Sequence, residues 1–238
     1  MTTSGSQLPL GLSPRPRDRF DNFFVADNSL LVDVARDLGE RGGERQLAVW
    51  GSAEVGKSHL LSAVCQAATA NRRTAFYLPL SDFAQESPHV LTGLEDVDVI
   101  AIDDLDRIAS SPAWQTALFN LINLARERHV SIVTASRDNP ANMSILPDLV
   151  SRLIWGPVMR LQGVADKDLA AALAARAELL GLTLSDEVIN YLLLRSSRGL
   201  ATLYDILDQL DRASLAAQRR LTVPFVKSVL FPERSSDD

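Results

Sequence analysis

The chain has 238 residues, 46% hydrophobic and 23% charged, the balance of an ordinary globular protein with room for one large or two modest domains. Lys and Arg number 24 against 30 Asp and Glu, a net charge of −6, which argues against coating nucleic acid through an overall field and leaves only a local basic patch open. One cysteine, Cys65, excludes an internal disulfide and a cysteine-based zinc cluster and fits a reducing compartment. There is no run of about 18 apolar residues and no secretory start, so the expected location is cytoplasmic.

In chain order, the first notable stretch is Ser6 to Leu12, SQLPLGL, an apolar peptide in a tail otherwise made of Ser, Thr, Pro and Arg. A polar, proline-bearing spacer from Ser13 to Asp18 cannot continue a helix, so residues 1–18 are expected to form a flexible tail. Short apolar runs follow at Gln46 to Trp50, Thr74 to Leu80, Val97 to Ile102 and Val130 to Ala135. Each is followed by a polar turn and a helical pattern, the first of these from His59 to Ala70. Strands alternating with helices predict an α/β domain with a parallel sheet and flanking helices over residues 19–163. Trp114, Leu118, Leu121 and Ile122 share one helical face and read as core.

After Gly163 the strand signals stop. Asp166 to Leu180, Ser185 to Arg195, Leu200 to Leu221 and Pro224 to Leu230 carry helical spacing, with Ser185 and Thr222 as expected N-caps and Gly181 as a stop. Residues 164–238 therefore read as a small all-helical second domain.

The strongest chemical signal is Gly51-Ser52-Ala53-Glu54-Val55-Gly56-Lys57-Ser58, with the G-x-x-x-x-G-K-[ST] spacing between an expected strand and an expected helix. Glycines at 51 and 56 let successive N–H groups face one phosphate, aided by the helix N-terminus. Lys57 would neutralise β- and γ-phosphate oxygens, and Ser58 would offer its hydroxyl to Mg²⁺. The second signal is VDVIAIDDLD, residues 97–106, an apolar run ending in Asp103 and Asp104 at the edge of a parallel sheet where ligands bind. Asp103 is placed for the Mg²⁺ shell. Asp104 stands where many ATPases carry a glutamate that orients the attacking water, and being one methylene shorter it predicts slow hydrolysis by the chain itself. His59, His89 and His129 have no metal-ligand spacing, so no zinc is expected. Arg152 and Arg198 matter only if the fold brings them to a phosphate, since isolated surface arginines more often form salt bridges.

The order of phosphate loop, paired acids, the polar turn Ser136-Arg137, Arg152 and then Arg198 in a helical lid resembles the AAA+ ATPases. Phe20-Asp21-Asn22-Phe23-Phe24, GKSHL at 56–60 and SRLIWG at 151–156 are similar to the bacterial replication initiator DnaA over about residues 17 to 232. That initiator carries a further DNA-binding domain, whereas this sequence stops just past the lid. With the closing text LYDILDQLDRASLAAQRRLTVPFVKSVL, this resembles the Hda family of DnaA-related regulators.

The resemblance implies that SQLPLGL docks on the DNA polymerase sliding clamp (its beta subunit) through Gln7, Leu8, Leu10 and Leu12, with Gly11 where proline is usual. It implies that Phe20 to Asn28, including Phe24, wall an adenine, and that Gly51 to His59 hold phosphate. Arg198 would be the lid arginine on the nucleotide and Arg152 an arginine finger, while Ser136 stands where relatives often have Asp. The implied protein binds ADP in preference to ATP, with Mg²⁺, and inhibits replication initiation by stimulating ATP hydrolysis on an adjacent DnaA. DNA is met indirectly, through the clamp, and a homo-oligomer stays open. The alternatives are an initiator-like AAA+ helicase loader hydrolysing its own ATP, and a nucleotide-locked adaptor that promotes no hydrolysis. A small-molecule kinase fits least, because the helical lid would be unexplained. Beside Arg152, Trp155 is expected to serve packing more than positioning.

Overall fold

The computed structural model describes residues 17–41, 43, 45–83, 85–195 and 199–231. The chain divides into two compact units between Gln162 and Gly163. Gln7, Leu8, Leu10, Leu12 and Arg198 lie outside the described residues.

In the first unit a 3-10 turn, Phe20–Asn22, precedes α1 (Ser29–Glu40), β1 (Gln46–Trp50), α2 (Lys57–Ala70) and β2 (Ala75–Pro79). A single turn, α3 (Leu80–Phe83), leads on to β3 (Val99–Asp103), α4 (Pro112–Glu127), β4 (Ser131–Ser136), α5 (Pro147–Leu153) and β5 (Val158–Arg160). The strands form one parallel sheet in the order β2-β3-β4-β1-β5. The four apolar runs all become strands, the first with its bounds unchanged and the other three with boundaries moved by one or two residues. α1 and β5 have no counterpart in the sequence reading. β5 is three partly exposed residues at the sheet edge, too short to show an apolar run.

Every residue of β3 and β4 is buried, as a parallel sheet covered on both faces requires. Alternation along β3 decides which face each side chain joins. Val99 and Ala101 pack with Leu31, Leu38, Leu60 and Val64 of α1 and α2, while Ile100 and Ile102 pack with Trp114, Leu118 and Ile122 of α4. The face expected from Trp114, Leu118, Leu121 and Ile122 is core. Cys65 sits in the α2 layer, fully buried, and burial pushes its thiol up to about 12.

The second unit holds α6 (Leu169–Leu179), α7 (Asp186–Arg195), α8 (Leu200–Ala217) and α9 (Val223–Leu230) around Leu173, Leu192, Leu203, Leu207, Leu210 and Val226. Ser185 Oγ accepts from the Val188 N–H, and Gly181, with φ +71°, follows the end of α6. Thr222 takes the cap position without a side-chain bond. Two helices are shorter than their spacing predicts. A 3-10 turn occupies Asp166–Asp168, and Gln218 turns left-handed (φ 50°) to end α8. Arg176 and Asp208 pair at 3.0 Å between α6 and α8, both nearly buried. Among the described residues no helix is long and apolar enough to cross a membrane.

At the start of β2 and β3, the Asp98 carboxylate accepts from the Thr74 N–H (2.7 Å) and hydroxyl (2.8 Å), and these bonds hold its pKa below the ordinary value. A depressed folded-state pKa gives stability that is present above the unfolded value of about 3.9 and is lost as pH falls through the folded value. Asp98→Ala is therefore expected to lower stability by about 1 kcal/mol in urea titrations at pH 7, with the difference shrinking toward pH 3.

Candidate nucleotide site and a separate arginine surface

The phosphate loop leaves β1 at Trp50 and turns directly into α2 at Lys57. Its two glycines have separate causes. A Cβ on Gly51 would stand 2.5 Å from the Leu161 carbonyl oxygen, and Gly56 has φ +103° with the Phe23 ring 3.4 Å from where a Cβ would be. Glu54 is left-handed as well, at φ 60°, so the loop coils tightly over residues 51–56. The Gly51 N–H donates to the Ser136 carbonyl at 3.2 Å, fixing the start of the loop to the end of β4.

Lys57 is buried and donates from Nζ to the carbonyls of Gly51 and Ser52, each at 2.7 Å. Burial pulls its ammonium below the ordinary pKa, opposed by the charges of Asp103, Asp106 and Asp104. Ser52, Ala53 and Glu54 are exposed, and Val55 is half-buried with its side chain against the core.

Asp103 ends β3 at 1% exposure. Its carboxylate accepts from the Tyr77 hydroxyl at 2.8 Å and the Asp104 N–H at 2.9 Å, and is hydrogen-bonded to Ser58. Burial raises its pKa, the neighbouring Asp104 charge adds to that, and the Ser58 and Tyr77 bonds work against it. The expected metal pair, Ser58 and Asp103, is thus in direct contact, and a hydroxyl beside a desolvated carboxylate is a hard oxygen pair that fits Mg²⁺. Asp104 is left-handed (φ 56°, ψ 44°) and partly buried just beyond the strand.

Three expected nucleotide contacts have partners within the protein. Phe20 is 6% exposed and packs in the core, its ring covered by the Arg36 guanidinium at 4.6 Å. The aromatic that does touch the phosphate loop is Phe23, with Phe24 half-buried next to it in sequence. Asn28 turns both amide groups to the Gln162 backbone, donating to its carbonyl (3.0 Å) and accepting from its N–H (2.8 Å). The His59 ring is held by the N-terminal segment: Nε2 lies 3.1 Å from the Arg19 carbonyl and 3.0 Å from Asn22 Oδ1, and Phe23 meets the ring edge-on. It straps the N-terminal segment to the first turn of α2.

Asp106 was quoted in the acidic stretch without a role. Its carboxylate accepts the Arg137 N–H through both oxygens (3.1 and 2.9 Å), tying the turn after β4 to the turn after β3. Ser136 is fully buried and donates to the Asp138 carbonyl at 2.7 Å, so its hydroxyl shapes its own turn.

Arg152 belongs to a different place. It lies in the last turn of α5, and its carbonyl accepts from the side chain of Gln46, the first residue of β1. The phosphate loop begins after the last residue of the same strand, about 13 Å away along β1. Arg152 Nε donates to Asn123 Oδ1 of α4 at 2.7 Å, and its guanidinium lies over the rings of Phe119 (5.1 Å) and Trp155 (4.2 Å). Trp155 is 40% exposed, and what it packs against is charge, the guanidinium of Arg152. Asn123 escaped the sequence reading; its only signal was an amide inside the apolar run Leu121 to Ala125.

A parallel sheet with a glycine loop at the end of β1, acids at the end of β3 and a separate four-helix unit defines a P-loop nucleotide-binding protein of the AAA+ class. Residues 15–160 match the bacterial DnaA ATPase domain and residues 166–230 match the Hda lid domain. The chain belongs to the DnaA-related AAA+ family, in its Hda-like branch. It is 38% identical over 226 residues to an uncharacterized protein of Haemophilus influenzae, covering 94% of this chain and 98% of the relative. Among solved structures it is similar to domain III of DnaA from Thermotoga maritima, with TM-score 0.76 and 21% identity over 91% of this chain and 96% of that one. It is also similar to AMPPCP-bound DnaA from Aquifex aeolicus, with TM-score 0.70 and 23% identity over 84% of this chain and 67% of that one.

Tyr77→Phe removes one of the donors to the buried Asp103 carboxylate. It is expected to cost about 1–3 kcal/mol in urea unfolding and to weaken nucleotide binding more in Mg²⁺ than in EDTA, as read by fluorescent-nucleotide titration.

Proposed function

We propose that the protein is a negative regulator of replication initiation, acting in the cytoplasm as a nucleotide-bound adaptor that makes a neighbouring DnaA hydrolyse its ATP. The observation that carries this is the position of Arg152. It sits at the amino-terminal edge of the sheet, on a partly exposed stack with Trp155, while the chain's own phosphate loop is at the carboxyl-terminal edge. An arginine that cannot serve its own phosphate site is available to another subunit's. Phosphoryl transfer places charge on the γ-phosphate oxygens in the transition state, and an arginine delivered in trans stabilises that charge.

In this reading Lys57, Ser58 and the loop amides hold the resident nucleotide, preferably ADP. Ser58 and Asp103 would hold Mg²⁺, which when bound neutralises phosphate charge. Asp104, with its short side chain, would orient water poorly, so turnover by the chain alone is slow and the nucleotide acts mainly to organise the fold. Arg198 would read the nucleotide from the helical unit. Gln7, Leu8, Leu10 and Leu12 would dock on the DNA polymerase sliding clamp, and DNA would be reached through that clamp, as the acidic net charge favours.

Arg152→Ala is expected to leave nucleotide affinity and melting temperature unchanged and to reduce stimulated ATP hydrolysis by DnaA at least a hundredfold. Deleting residues 1–12 is expected to remove the dependence on clamp-loaded DNA without altering nucleotide binding. Full stimulation by the Arg152 variant would refute the mechanism, and an undiminished clamp response by the deletion would refute the docking role.

A further inference from the structure

Trp155 carries two guanidiniums. Arg126, from the last turn of α4, stands 4.1 Å from the ring centroid and Arg152 stands 4.2 Å from it. Indole attracts each cation, but two like charges on one ring repel each other. Arg152 has other fixed partners in Asn123 and the Ser151 hydroxyl. Arg126 has none of these, and among the described residues neither guanidinium has a carboxylate within ion-pair distance. That is notable in a chain where acids outnumber bases 30 to 24. Arg126 borders an open cleft of about 440 Å³ shared with Arg45, His129, Trp155 and Gly156. Gly156 makes part of its wall bare backbone, since a Cβ there would stand 2.2 Å from the Gln46 carbonyl oxygen.

We propose that this cleft takes a carboxylate side chain of the subunit whose nucleotide Arg152 meets, with Arg126 as the cation that receives it and Trp155 as the platform both arginines share. The proposal rests on the reading of Arg152 given above. Guanidinium matches a carboxylate through two parallel N–H bonds, and an anion at this point also relieves the repulsion between the two arginines. The cleft, at about 440 Å³, has room for such a side chain together with the chain that carries it. A nucleic-acid backbone would need a stripe of cations following it, against a net charge of −6, and the cleft is a single compact patch.

The two arginines then divide the work of one surface. Arg126 sets how tightly the partner docks, and Arg152 sets how fast the docked partner reacts.

The test is the initiator's ATP hydrolysis, with clamp-loaded DNA, titrated with the full chain carrying Arg126→Ala, Arg126→Gln, Arg126→Lys or Arg152→Ala. Gln and Lys keep the stem packed on Trp155, so a folding defect in the Ala variant does not decide the result. Arg126→Ala and Arg126→Gln are expected to raise the half-saturating concentration about tenfold at an unchanged maximal rate, with partial rescue by Lys and a smaller difference in 0.5 M salt. Arg152→Ala is expected to lower the maximal rate at an unchanged half-saturating concentration. An unchanged half-saturating concentration in both Arg126→Ala and Arg126→Gln, with Arg152→Ala inactive, overturns the docking role and leaves the finger in place. Weakened retention of the Arg126 variants on duplex DNA alone makes the cleft a nucleic-acid contact and likewise overturns it. Full activity of Arg152→Ala refutes the underlying mechanism and this inference with it.

Discussion

A carboxylate at 1% exposure at the end of a strand covered on both faces cannot remain ionised without hydrogen-bond donors around it, and Asp103 is in that position. It draws the Tyr77 hydroxyl from β2, the N–H of Asp104 and the side chain of Ser58 from α2. One buried group thereby fixes the first turn of α2 against a strand two places away in the sheet. The neighbouring turns follow from it: Gly51 is bonded to the end of β4, and Asp106 holds the Arg137 N–H from the same turn. The carboxyl-terminal edge is in this way one connected hydrogen-bonded surface, with Lys57 buried among the acids.

The amino-terminal edge of the same sheet is organised by different physics. There the fixed points are stacked cations and an exposed indole, with an amide from Asn123 setting the direction of Arg152. Desolvated carboxylates want a cation brought to them, and unpaired guanidiniums want an anion. The sheet keeps the two about one strand length apart, so neither can satisfy the other within one chain.

Much of this was legible in the residues. The phosphate loop, the paired acids and the strand-helix alternation carry strong local signals because glycine spacing and apolar runs are written in contiguous text. The protein partners of Phe20 and Asn28 were not legible, because an aromatic and an amide near a nucleotide loop look the same whether they face ligand or core. Only the covering Arg36 and the distant Gln162 backbone decide it. The strap made by His59 left no local signal, its partners lying about forty residues upstream at the 3-10 turn. β5 left no trace because an edge strand of three half-exposed residues needs no apolar pattern. Asp106 and Asn123 act through partners about thirty residues away, a separation that no local pattern reports.

The His59 strap has a consequence for reach. It holds Arg19 and Asn22 on the first turn of the phosphate helix. Only the seven steps from Leu12 to Arg19 separate the apolar peptide from that point, and a fully extended chain of that length spans at most about 25 Å. Any surface that grips the peptide therefore lies within about that distance of the first turn of the phosphate helix.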